Sequence, residues 1–184
     1  MRTSKIFGIM MILAFFSFGI DTLGLGTEAH AQFDDAGFKQ ALKLKKNAYT
    51  SEGSITGGSR ETSDFRVSQI RVAANPAGYD RIVLEIEGNE GGEKSALSSP
   101  PFYLVENDPS NKLVIVTLYG KAKLDFSRQM AMQQARKAKL ISKLDFLAEV
   151  SEDRWTWTIH TQVPVRAEVF ELSSPARIII DLKP

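Results

Sequence analysis

A chain of 184 residues, 43% of them hydrophobic, holds one domain of ordinary size with an arm to spare. Its 23 basic and 22 acidic side chains leave a net charge of +1, so no bulk positive field marks it as a nucleic-acid binder. It contains no cysteine, which excludes a disulfide framework, a thiolate metal site and a lipid-modified N-terminal cysteine.

The chain opens with Arg2 and Lys5, then an uncharged, mostly apolar run from Ile6 to Ile20, then Ala29-His30-Ala31. That three-part pattern predicts a cleaved signal peptide over 1–31 and an exported, periplasmic protein starting at Gln32. The run is shorter than the roughly 20 apolar residues that cross a bilayer, and Asp21 interrupts it. No transmembrane segment is expected after cleavage. Removing 1–31 takes away two basic and two acidic side chains, so the charge balance stays the same.

Residues 32–64 read as an arm. Asp34 to Asn47 has acids at its start and lysines near its end, which suits a helix dipole, and Phe38 and Leu42 give it a thin apolar stripe. Tyr49 to Asp64 is rich in Ser, Thr and Gly and reads as a flexible linker.

From Phe65 the apolar period becomes two. Ile70, Val72 and Ala74 alternate with Arg71 and Ala73 before an Asn-Pro-Ala-Gly turn, and Ile82, Leu84 and Ile86 alternate with Glu85 and Glu87. Gly88 to Pro101 is a polar loop. Phe102–Glu106 and Leu113–Tyr119 close a first half. Lys121 to Lys143 lacks Gly and Pro and is rich in helix formers, so a helix is expected over Ser127 to Lys139 with Ser127 as its cap. The second half alternates through Leu144, Phe146, Ala148 and Val150, then Trp155, Trp157 and Ile159, and ends in Val165–Leu172 and Arg177–Leu182.

The two halves are alike. Asp80-Arg81-Ile82-Val83-Leu84-Glu85-Ile86 recurs as Asp153-Arg154-Trp155-Thr156-Trp157-Thr158-Ile159. Each is followed by a Pro-containing polar turn, with a basic residue opening an apolar strand. Eight strands in two similar four-stranded halves, bridged by a helix, predict an all-β domain over 65–184, a β-sandwich built by internal duplication.

Arg81-Ile82-Val83-Leu84 and the closing Pro175-Ala176-Arg177-Ile178-Ile179-Ile180-Asp181-Leu182 resemble the AMIN domain, a module of exported bacterial cell-envelope proteins. The likeness runs from about Val67 to Pro184. It implies a sandwich of two similar four-stranded sheets and a role in targeting murein amidases or pilus secretins, with peptidoglycan as ligand. Because the motif ends the sequence, it implies a stand-alone binding or targeting module rather than an amidase.

The residues offer little for catalysis. After position 31 the one histidine is His160, with no nucleophile-elbow sequence to serve as its partner and too few imidazoles for a metal. Glu85 and Glu87 read as an outward strand face rather than a glycosidase pair. Gly88 to Gly92 sits beside Glu90 and Glu93, which would repel phosphate. A non-enzyme without cofactor or metal is the expectation. Trp155 and Trp157 alternate like core residues, so packing outranks a sugar platform.

The candidate binding residues are Lys121, Lys123, Arg128, Arg136, Lys137, Lys139 and Lys143, which face only Asp125 in the same span. Such a cluster attracts anionic envelope polymers, such as stem-peptide carboxylates of peptidoglycan or lipid phosphates. A solvated helix face is the plainer alternative. Arg81, Arg154 and Arg177 recur at equivalent strand starts, which fits either ligand contacts or strand-end salt bridges with Asp80, Asp153 and Asp181, and the structural use is the plainer reading. A second functional reading is a protein–protein adaptor, in which a sheet edge pairs with a secretin or another envelope protein.

Overall fold

Period-two alternation over 65–184 produces the expected all-β sandwich. The computed structural model describes residues 44–151 and 153–184. The expected signal peptide over 1–31, and all but the end of the Asp34–Asn47 helix, lie outside the described residues.

Among the described residues ten strands follow in chain order: β1 (Gly53–Gly57), β2 (Asp64–Asn75), β3 (Tyr79–Gly88), β4 (Tyr103–Asp108), β5 (Leu113–Tyr119), β6 (Lys121–Leu124), β7 (Ile141–Val150), β8 (Arg154–Thr161), β9 (Arg166–Leu172) and β10 (Ala176–Lys183). One helix, α1 (Arg128–Ala135), lies between β6 and β7. They form two five-stranded sheets, ordered β1-β4-β5-β8-β7 and β6-β2-β3-β10-β9.

Neither half of the sequence makes a sheet of its own. Each contributes one hairpin to each sheet, and the halves meet where β3 pairs with β10 and β5 with β8. Replacing every strand of one half by its counterpart turns the order β2-β3-β10-β9 into β7-β8-β5-β4, which is the other sheet. The duplication is thus visible as topology.

Two strands exceed the eight expected. Tyr49 to Asp64, expected to be a flexible linker, carries β1, which pairs antiparallel with β4, and Thr50 bridges Ala167. β6 arises inside the span expected to lead directly into the helix and pairs parallel with β2. Both are short edge strands: β1 carries one apolar residue, Ile55, and the alternation of β6 rests on Ala122 and Leu124 alone. Their partners' unpaired backbone groups supply the pairing that their side chains do not specify.

The core lies between the sheets. From one sheet come Ile82, Leu84 and Ile86 of β3 and Ile178, Ile180 and Leu182 of β10; from the other come Val114, Val116 and Leu118 of β5 and Trp155, Trp157 and Ile159 of β8. Cross-strand register sets Leu118 against Trp155 and Val116 against Trp157. The two indoles stack with centroids 5.8 Å apart, and Phe146 lies 5.4 Å from Trp157. Both indoles are fully buried, as their alternation predicts.

The helix ends at Ala135, earlier than the Lys139 expected. Ser127 Oγ accepts from the Met130 amide and starts it. The buried Asp80 carboxylate accepts from the backbone N–H of Lys139 (3.2 Å) and of Leu140 (2.6 Å), drawing the chain away from helical geometry. Gln134 Oε1 accepts from the Val72 amide at 2.9 Å and fastens the helix to β2. Its buried face is only Ala131 and Ala135, so these polar contacts, more than apolar area, fix its place.

Candidate functional site

The seven expected binding cations fall on one continuous run of structure. Lys121 and Lys123 lie on β6, Arg128 opens α1, Arg136 caps its end, Lys137 and Lys139 follow it, and Lys143 lies on β7. All seven are exposed. The helix packs on both β2 and β7, so this run follows the rim where α1 bridges the two sheets. Exposed Met130 and Met132 share the helix with these cations.

The one carboxylate in the run is already taken. Asp125 accepts from Arg66 Nη1 at 2.6 Å, and that hydrogen bond lowers its pKa below the usual carboxylate range. Arg66 is itself buried, and its Nη2 also donates to Asn89 Oδ1 and to the Gly92 carbonyl, tying the Gly-rich loop to the start of the helical segment. Lys143 pairs with Asp145 at 3.3 Å across a solvent-exposed gap.

The strand-start arginines are used differently from one another. Arg81 and Asp181 are direct cross-strand partners, with Nε and Nη2 donating to the two carboxylate oxygens at 2.7 and 2.8 Å. Arg177 likewise faces Glu85 across the same strand pair and donates to it at 3.1 Å, while Arg71 approaches that carboxylate from β2 at 3.4 Å. Both charged residues of the closing motif therefore hold β10 to β3. Arg154 is exposed and lies opposite Tyr119. Asp80 accepts from the backbone after α1, as above. Asp153 accepts from Ser151 Oγ.

Sequence reasoning missed a buried charge cluster around Asp181. Lys45 Nζ donates to Asp181, to Glu168 at 2.8 Å and to the Tyr49 hydroxyl at 2.7 Å, and it lies 4.4 Å from the centre of the Tyr79 ring. Burial alone would lower its pKa; the hydrogen bonds to the two acids and Tyr49 outweigh burial and raise it. Residues 44–50 are thereby fastened across the outer face of β9 and β10.

A cavity of about 450 Å³ was also not foreseen. It is lined by Arg60, Thr62, Ser63, Phe102, Tyr119 and Gly120. Backbone bonding builds it: the Phe102 amide donates to Ser59, and the Tyr119 amide donates to Phe102. The two rings consequently lie 5.3 Å apart, and the Arg60 guanidinium stacks 4.1 Å from the centre of Phe102. Gly120 has φ +118°, and a Cβ there would come 2.7 Å from the Ser63 carbonyl oxygen, so only glycine lets the two segments close this side. Three separate loops meet here, and no local pattern announces it.

His160 sits half-buried on β8, opposite Leu113 and Lys143. Among the described residues no group of three or more acidic or histidine side chains is placed to hold a metal ion, and no described helix is long and apolar enough to cross a membrane. In comparisons with family models, curated proteins and solved structures, none matches this chain.

Proposed function

We propose that this protein is an exported, non-enzymatic module that binds the cell wall, with the basic rim of β6, α1 and β7 as the surface that meets peptidoglycan. One observation carries the reading: seven exposed cations line a single rim whose only carboxylate within the run is neutralised by Arg66. Exposed like charges held by a rigid scaffold raise the local concentration of a polyanion without any single tight contact. Attraction of this kind falls as salt shortens the Debye length to about 8 Å at physiological ionic strength. The resemblance to AMIN domains supports the same class of ligand and the periplasm as its place.

The test is co-sedimentation of the purified protein with peptidoglycan sacculi across a salt series. Pelleting at low salt that declines with added salt, and that is lost in the Lys137→Glu/Lys139→Glu variant, supports the reading. Unchanged pelleting by that variant removes the rim from it. Failure to pellet at low salt makes a protein partner the leading idea. The sheet edges speak against that second reading: β1 and β6 are short, β9 is bridged at Ala167 by Thr50, and β7 carries two register shifts. Short and bulged edges resist pairing with another chain.

A further inference from the structure

We propose that the cavity between Arg60 and Tyr119 is a subsite for a pyranose ring that carries a carboxylate; the choice of this ligand rests on the wall-binding reading above. At about 450 Å³ the cavity falls within the range of roughly 300–1,000 Å³ typical of small-molecule sites. Its groups converge on two kinds of chemistry.

The first is recognition of an anion. The Arg60 guanidinium lies over the Phe102 ring, 4.1 Å from its centre, and a guanidinium held against an aromatic face keeps a fork of N–H donors that can grip a carboxylate with two parallel hydrogen bonds. Arg60 forms no ion pair with a described residue, unlike Arg66, Arg81 and Arg177. Its neighbour Glu61 lines a smaller, adjoining cavity with Asp64 and Glu90, which shares Thr62 and Ser63 with this one, and Glu61 is not itself among the residues lining this one. Lys121, the first cation of the basic rim, follows Gly120 directly and donates its amide to Ser63. The cavity therefore opens at the start of the charged rim.

The second is recognition of a ring. Tyr119 is 37% exposed, a high value for a large aromatic side chain, and it lines the cavity. The C–H face of a pyranose is apolar and weakly positive, and it complements the negative face of an aromatic ring. The hydroxyls of Thr62 and Ser63 can each donate and accept, as sugar hydroxyls require. A linear acid would leave Tyr119 unused, and a neutral sugar would leave Arg60 unused.

The test is titration of the full-length protein with N-acetylmuramic acid and with N-acetylglucosamine, which shares the ring and lacks the carboxylate, followed by NMR. Saturable binding of the acid, with the neutral sugar about tenfold weaker, is expected from loss of a charge-assisted bidentate contact. Arg60→Ala should remove that preference and Arg60→Lys should restore part of it, while Tyr119→Ala should weaken both sugars alike. Arg60 and Tyr119 are exposed, so these variants are expected to fold. Equal affinity for the two sugars, or no saturable binding of either, overturns the subsite. Sacculus pelleting of the same preparations separates the two ideas. Pelleting without sugar binding overturns the subsite and leaves the basic rim standing. Sugar binding without pelleting overturns the wall-binding reading and keeps the subsite.

Discussion

Arg81 and Asp181, one hundred residues apart in sequence, face each other across β3 and β10 and share two hydrogen bonds of 2.7 and 2.8 Å, both side chains fully buried. Asp181 also accepts from Lys45, so one carboxylate joins the two halves of the duplicated unit and the segment that precedes them. The pair stands on the outer face of its sheet beside a small apolar cluster of Val83, Leu172 and Ile179.

Removing that carboxylate leaves two buried cations with less compensation. Asp181→Ala is expected to lower unfolding free energy by about 3–5 kcal/mol, the range for breaking a buried ion pair from one side. Urea denaturation measures it. A loss below about 1 kcal/mol would show that the network is solvated and weak.

The Lys45 contacts carry a pH signature. Its folded pKa is raised above the ordinary value of 10.5, so its contribution is fully present below that value and is lost as pH rises through the folded pKa. The stability difference between the parent and Lys45→Met should therefore stay constant from neutral pH to about pH 10 and shrink only above it. Hydrogen exchange should show residues 44–50 opening in the variant before the sandwich does. A difference that already falls between pH 6 and 9 would contradict the raised pKa.

Asp80 tests how the helix is stopped. Asp80→Ala leaves the amides of Lys139 and Leu140 without their acceptor, at a cost of about 1–3 kcal/mol for the buried Leu140 amide and less for that of exposed Lys139. Thermal melting should register the loss, and amide exchange at Leu140 and Ile141 should accelerate more than exchange in β3.

The two indoles differ in one hydrogen bond. Trp155 Nε1 donates to the Phe146 carbonyl at 2.9 Å, whereas Trp157 Nε1 is buried with no partner among the described residues. Replacement by Phe should thus cost about 1 kcal/mol more at Trp155 than at Trp157. Equal costs in chemical denaturation would mean that Trp157 has a partner after all.

Much of the fold was legible because burial on one face of a strand writes itself as a period of two. Eight strands and the core placement of Trp155 and Trp157 follow from that pattern, and the capping role of Ser127 follows from the helix-forming stretch behind it. β1 and β6 did not, since GSITG has a single apolar residue and KAKL, though Ala122 and Leu124 alternate with its lysines, is only four residues long; both become strands by pairing with β4 and β2. The helix overran its true end in the sequence reading for a similar reason: propensity continues through Lys139, but the Asp80 carboxylate competes for the amides there.

The candidate rim was legible as charge, because seven cations in a span of 23 residues stand out in any conformation. Its spread over β6, α1 and β7, and the pairing of Asp125 with Arg66, were not. By itself the sequence determined the strand periodicity, the duplication and the basic run, since these are local properties of neighbouring side chains. Tertiary structure alone decided that each half is divided between the sheets, that Lys45 meets Asp181, and that Arg60, Phe102 and Tyr119 line one cavity. Such contacts join residues far apart in the chain, and only the register of paired strands fixes which of them meet.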